Sequence, residues 1–432
     1  MKISHCRLCQ SSRVHKVVDL GYHPLADTFL PESAQFGPEV SFPLQLGSCQ
    51  DCGHVFTLYA VSAHDRYQKH DYSYDSSNSK VSIRHFKEFS DTVLAWAQPR
   101  RDALIVDVGS NVGTLLSHFK DSGYSKVLGV EPSRNIAELA QAAGVPTLID
   151  FFDEVAAARL GEVGKVELLL SSNVVNHADD LPAILHTAAS VLSVSGSFVF
   201  EVPYLLDLIQ RTAFDTIYHE HVHYYGVKPL AACLARHGFA IAKIERLEYM
   251  CGSIRVYARR GSSHAREVVQ MIRHEEHCRL YETATYAAFM RRVQAVKFAV
   301  NQHLSAVRAK GGKIIAVGAA TKGNTLLNYC RLDTDVIAYV TDSSPLKIGK
   351  CMPGSHIPIL GDHQIDSAVT HALILPWNIA QFLIDKLAHL NLEFYVPQVE
   401  THHPTPHQQA GTPWKSSSSS PRTPTSVALS LT

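Results

Sequence analysis

Between Tyr218 and His223 the chain places one phenol, one carboxylate and three imidazoles in the run YHEHVH. Imidazole is the side chain that exchanges a proton near neutral pH. A phenol donates to an oxygen as negative charge builds on it, and a carboxylate orients an imidazole or raises its basicity. Tyr218, Glu220 and His221 are therefore candidates for proton-transfer chemistry. Two other readings stand beside this one. His219, His221 and His223 alternate, so on a strand they would share a face and could bind a metal. Alternatively, the cluster is a structural knot of polar side chains.

A second chemistry is written in sulfur. Cys6 and Cys9 form one C-x2-C pair, and Cys49 and Cys52 form another. Each pair sets two thiolates on one tight turn, and two such turns complete a closed tetrahedral shell. Zinc held this way has no open position, so it is structural. Cys233, Cys251, Cys278, Cys330 and Cys351 have no partner at metal spacing and read as core thiols.

A third group is built for a ligand. Asp107-Val-Gly109-Ser-Asn111-Val-Gly113 follows the apolar run ALIVDV and opens a helix. Glycines there let a ligand approach the backbone, and the helix start adds N–H donors. Glu131 ends the next strand, where an acid accepts from ribose hydroxyls. The loop lacks the G-x-G-x-x-G of dinucleotide binders.

These groups need positioning elements. ALIVDV, VLGV, VELLLSS and GSFVFEVP read as buried parallel strands alternating with helices, which predicts a doubly wound α/β sheet. The pattern restarts at KIIAVGAA, NTLLNYC and DVIAYVTD. The fold class is α/β, with two Rossmann-like units behind a small four-cysteine zinc motif. The expected division is a zinc motif over 1–60, a polar and helical segment over 61–99 and a cofactor domain over 100–262. A helical connector follows over 263–310, then a second Rossmann-like domain over 311–400 and a disordered Pro/Ser/Thr-rich tail over 401–432. In the second unit, Gly318 to Asn324 resembles a phosphate-cradling turn without being a Walker sequence. Lys322 and a helix start at Asn324 are candidates to hold a diphosphate, and Asp342 to touch a ribose. Lys347, Lys350 and His356 read as solvated loop residues.

Lysine plus arginine equals aspartate plus glutamate, and that balance argues against a nucleic-acid binder. No apolar run is long enough to span a bilayer, and MKISHCRLCQ lacks a signal-peptide core, so a cytoplasmic protein is expected. The sequence is silent on oligomeric state.

DVGSNVG resembles the first motif of class I S-adenosylmethionine (SAM)-dependent methyltransferases. That resemblance implies that Gly109 to Gly113 border the methionine part of SAM and that Glu131 holds its ribose. It also implies that Asp150 and Phe151 flank adenine and that Ser172 and Asn173 lie near the reacting methyl. Across about 6 to 400 the chain is similar to the sugar C-methyltransferases acting on TDP-linked 4-keto-6-deoxyhexoses. The likeness is carried by CRLC, DLGYHPLADTFL, CQDCGHVF, YSYDSS, SNVVNHADDL, FDTIYHEHVHYY, CGSIRVY and VGAATKGNTLLNY. It implies His221 as the base that removes a sugar C3 proton, with Tyr218, Glu220, His177 and Tyr74 around the substrate. It also implies a nucleotide-diphosphate sugar as substrate, held partly by the second Rossmann-like unit. The rivals are O- or C-methylation of another small metabolite, and a zinc-containing binding module with a degenerate methyltransferase core.

Overall fold

A computed structural model describes residues 1–31, 39–67 and 72–397. The tail expected to be disordered lies outside them. The cysteine-bearing end of the chain builds an antiparallel sheet from Val14–His23, Phe42–Cys49 and Val55–Thr57. Its fourth strand is His223–Tyr224, from the YHEHVHY run, paired as His223 with Phe56 and Tyr224 with Val55. The zinc-motif end thus shares a sheet with the candidate catalytic segment.

The central sheet has seven strands. Thr147–Leu148, Val127–Val130, Leu104–Val108, Val166–Ser172 and Leu192–Pro203 lie side by side and parallel. All five residues of Leu104–Val108 are buried, as a strand covered by helices on both faces must be. Beyond Leu192–Pro203 the sheet adds Ser253–Arg260 and then Phe239–Leu247, each antiparallel to its neighbour. The sequence pattern did not foresee this hairpin edge.

The third sheet is wholly parallel: Ile359–Gly361, Val340–Asp342, Ile314–Val317, His371–Ile374 and Glu393–Tyr395, in that order. Counted along the chain, its order is 3-2-1-4-5, the order of the five parallel strands of the central sheet. Both sheets place a glycine turn after their first strand. Gly109 N–H donates to Val130 O at 2.7 Å, and Gly318 N–H donates to Thr341 O at 2.7 Å. The expected helical stretch over 263–310 is two helices, Arg266–His277 and Thr283–Ala309. Among the described residues no helix is long and apolar enough to cross a membrane.

Candidate active site

A cavity of about 1200 Å³ is lined by residues of the two parallel-stranded sheets and their loops, of the 61–99 segment and by Asp27 of the zinc-motif end. Ligand pockets typically measure about 300–1,000 Å³, so there is room for more than one small ligand. Its walls include the Gly109 turn, Glu131, Tyr74, His177, Tyr218, Glu220, His221, Lys322 and Asp342.

His221 is held by its backbone neighbours. Its Nδ1 lies 2.8 Å from Thr216 O, and a carbonyl can only accept, so Nδ1 carries the proton. Nε2 then presents its lone pair and receives the Tyr218 hydroxyl at 2.6 Å. Burial of the imidazole pushes its pKa down to about 4, so the ring stays neutral across the physiological range. Tyr218 is pushed the other way, by burial and by the nearby Glu220 and Asp27 carboxyls, and remains a phenol. His177 faces His221 edge to face, with ring centroids 4.8 Å apart.

The alternating histidines do not share a face. A turn at 219–220 breaks the extended run, and each ring goes to its own partner. His219 Nε2 lies 3.3 Å from Pro43 O, and His223 Nδ1 pairs with His54 Nε2 at 2.8 Å. The three-imidazole metal reading is set aside on that geometry.

Glu220 accepts the Asp27 N–H at 3.1 Å through Oε1, while its Oε2 is buried without a partner among the described residues. Burial and the Asp27 carboxyl raise its pKa to about 7. Asp27 was missed in the sequence, although it lies within DLGYHPLADTFL. Its Oδ1 accepts from Ser73 at 2.8 Å and Thr321 at 2.9 Å, so one carboxylate ties the zinc-motif end, the 61–99 segment and the second Rossmann-like unit together.

The cofactor side fits a cation. Asp107 is buried with Oδ1 unpartnered, and burial and the neighbouring Glu131 raise its pKa to about 8. Glu131 accepts Asn111 N–H at 3.0 Å and Ser133 N–H at 2.9 Å. Neither acid has an ion-pair partner among the described residues; a cationic ligand would satisfy Asp107, while Glu131 keeps lone pairs for the ribose hydroxyls expected there. At Gly109, with φ +67°, a Cβ would lie 2.3 Å from Val174 Cγ2. Gly109→Ala should therefore cost about 1–2 kcal/mol in backbone strain alone, besides displacing Val174. Calorimetry is expected to show SAM affinity falling about tenfold or more, and unchanged affinity would contradict the assignment of this turn.

Asn111 lines the cavity. Its side chain is spent on Tyr74 O at 2.9 Å and Ser76 N–H at 2.9 Å, so it pins the Tyr74 segment over the loop. Asp150, Phe151, Ser172 and Asn173 all line the cavity. Asn173 takes φ +55° and leaves Oδ1 buried and unpartnered among the described residues. The Tyr74 hydroxyl lies with those of Tyr249 and Ser82.

In the second unit the helix begins at Thr321, not Asn324. Asn324 sits one turn inside it, and its buried amide donates to Ala26 O, so it braces the zinc-motif end instead of lining the cavity. Lys322 does reach the cavity, with its Nζ 3.5 Å from Asp215 and 4.5 Å from the Trp377 ring centre. Asp342 spends its carboxylate on Ala319 and Ser344 N–H groups at 2.7 Å each, as Glu131 does on Asn111 and Ser133. Lys347 corrects the solvated-loop reading: it is 7% exposed, and its Nζ donates to Ala319 O at 2.8 Å in the cavity wall. His356 bonds Glu39 at 3.0 Å.

The four-cysteine cluster forms as the spacing implies. Cys6 and Cys52 sulfurs are 3.6 Å apart, Cys9 and Cys49 sulfurs 3.5 Å, and all four lie within 4.8 Å of one another. Four thiolates at about 2.3 Å from one zinc stand about 3.8 Å from each other, so the donor set and its size suit Zn2+.

Three family models match consecutive parts of the chain. "Putative zinc binding domain" covers residues 6–67, "Methyltransferase domain" 82–244, and "C-methyltransferase C-terminal domain" 249–394. Fold and site together are those of a SAM-dependent methyltransferase with a structural zinc. The C-methyltransferase NovU of Streptomyces niveus is 32% identical over 388 residues, 89% of this chain and 92% of the relative. The chain belongs to the C-methyltransferase family that includes NovU. Among solved structures, the magnesium protoporphyrin IX methyltransferase of Synechocystis PCC 6803 with bound SAM matches with TM-score 0.33 and 17% identity, over 42% of this chain and 82% of its own. A SAM-dependent methyltransferase from Mesorhizobium loti matches with TM-score 0.34 and 20% identity, over 41% and 100%.

Proposed function

We propose that the enzyme methylates C3 of a nucleotide-linked 4-keto-6-deoxy sugar through an enolate, with His221 as the base. The observation that carries this reading is the fixed tautomer of His221: Thr216 O holds the Nδ1 proton, and Nε2 stands as a neutral base in the cavity wall. A C–H beside a ketone is acidic because its electron pair moves onto oxygen. The C3–H bond breaks, the proton passes to Nε2, and a C3–C4 double bond forms with negative charge on O4. The Tyr218 hydroxyl donates to Nε2; turned instead to the ketone oxygen, it would free the base and steady the charge. SAM supplies an electrophilic methyl on a positive sulfur. Transfer of that methyl to C3 would break its bond to sulfur and leave neutral S-adenosylhomocysteine as the ketone re-forms, and His221 then returns its proton to solvent. Size supports two ligands at once, since the cavity joins the Gly109 turn to the matching Gly318 turn, with Lys322 and Lys347 in the wall beside the second. Those two cations suit a diphosphate.

The test is turnover by mass spectrometry with SAM and a panel of nucleotide 4-keto-6-deoxy sugars of both C3 and C5 configurations. A product heavier by one methyl, attached to ring carbon by NMR, is expected. SAM binding with no product from any sugar would move the substrate class to another small metabolite.

The depressed pKa of His221 fixes a pH dependence. A base that protonates only near pH 4 stays active as pH falls through 6.5, the ordinary histidine value. In Glu220→Gln, measured with SAM saturating so that the Asp107 side of the cavity is already filled, kcat/KM for the sugar is expected to hold from pH 7.5 to about 5. An acid limb between 6 and 7 persisting in that variant would contradict the assignment of His221.

A further inference from the structure

We propose that Tyr67 is a positioning residue for the same reaction, one that sets the proton on His177. The inference rests on the enolate reading above. The Tyr67 hydroxyl lies 2.6 Å from His177 Nδ1. The neighbouring Arg66 guanidinium can only donate toward that hydroxyl, never accept from it. With one donor already directed at its oxygen, the phenol is assigned as the donor to Nδ1, and the neutral ring then carries its own proton on Nε2. Two Tyr–His pairs thus meet in one cavity in opposite states. Tyr218 contacts Nε2 of His221, whose proton is on Nδ1. Tyr67 contacts Nδ1 of His177, whose proton is on Nε2. One imidazole is a base and the other a donor, and their rings meet edge to face.

The surroundings hold the His177 ring neutral and in place. Arg66, next to Tyr67 on the Ala63–Tyr67 helix, donates to His177 O at 2.9 Å and to the Asp179 carboxylate at 2.7 Å. Arg7, between two zinc ligands, donates to Asp179 O at 2.8 Å. Two guanidiniums therefore clamp the 177–179 turn while Tyr67 clamps the ring. A neutral N–H fixed in the cavity wall beside the base suits the oxygen on which the enolate charge gathers, and it gives no competing base. Without Tyr67 the ring is free to move its proton to Nδ1 and to present a lone pair to that oxygen.

The test is Tyr67→Phe in the full chain, read in two ways. With 15N-labelled histidine, the His177 resonances, assigned by their loss in His177→Gln, are expected to show a protonated Nε2 in the wild type. In Tyr67→Phe they should shift toward the Nδ1-protonated form. Turnover is expected to fall about 10- to 100-fold in kcat, by analogy with the loss of a group orienting a metal-bound imidazole, with KM within about twofold. In His177→Gln, whose amide has no tautomer, adding Tyr67→Phe should cost less than threefold more. An unmoved tautomer in Tyr67→Phe, or a loss of the same size in the His177→Gln background, would overturn the proposal. Because the nitrogen signals need no substrate, they test Tyr67 even if the sugar reading fails.

Discussion

Replacing His221 by alanine is expected to lower turnover by about 10²- to 10⁴-fold, the contribution of a positioned general base, while leaving SAM affinity within about twofold. The two effects separate because the residues have different supports. His221 hangs from Thr216 O and Tyr218, whereas the cofactor turn hangs from Val130 O and Glu131. The imidazole is buried and neutral, so its loss removes no ion pair and leaves a small cavity facing an already open one. Turnover by mass spectrometry and SAM titration by calorimetry check the two halves. A parallel loss of binding and turnover would mean that His221 holds the site together instead of acting in it.

The second large effect is expected from the metal. Removing zinc, by chelation under reducing conditions, should abolish turnover and make the N-terminal 60 residues protease-sensitive. Structural zinc contributes about 10–16 kcal/mol of apparent binding energy in zinc-finger peptides, comparable to the whole stability of a typical domain at about 5–15 kcal/mol. The loss reaches the chemistry through two contacts. His54, two residues after the zinc ligand Cys52, bonds His223, and Phe56 and Val55 pair with His223 and Tyr224. Both contacts end within three residues of His221. Arg7 carries a third connection to the His177 turn. SAM affinity should fall far less than turnover, because the cofactor turn lies in a different sheet. A zinc-free enzyme with unchanged kcat would show that the staple is independent of the site.

The parts legible in the sequence were those with local signals. Leu104–Val108 and Ile314–Val317 are short apolar runs closed by glycine, and buried parallel strands leave that mark. The cysteine pairs needed only their spacing. The Tyr218–His221 cluster stood out by composition, but not its geometry. An alternating pattern suggested a shared face for the three histidines, and a turn at 219–220 scattered them. The helix after Gly318 begins at Thr321, which moved Asn324 from the helix tip into the interior. The edge pair Phe239–Leu247 and Ser253–Arg260 escaped notice because charged residues interrupt both strands. Asp27, Tyr67 and Lys347 carry no local chemical signal of a role, although Asp27 lies within the family-like segment DLGYHPLADTFL. Tyr67 and His177 are 110 residues apart, and Asp27 and Thr321 are 294 apart. Only the fold brings such pairs together, so a lone tyrosine or aspartate in a polar stretch reads as ordinary surface.

Proton exchange at C3 tests the central claim most directly. A nucleotide 4-keto-6-deoxy sugar that the enzyme methylates would be incubated in D2O with enzyme and S-adenosylhomocysteine, which fills the cofactor pocket and has no methyl to transfer. Proton NMR would then follow the C3 signal against an enzyme-free blank. The account expects enzyme-dependent washout of C3–H with wild type and the blank rate with His221→Ala. Washout at the wild-type rate in His221→Ala would show that another group removes the proton and would contradict the role given to His221.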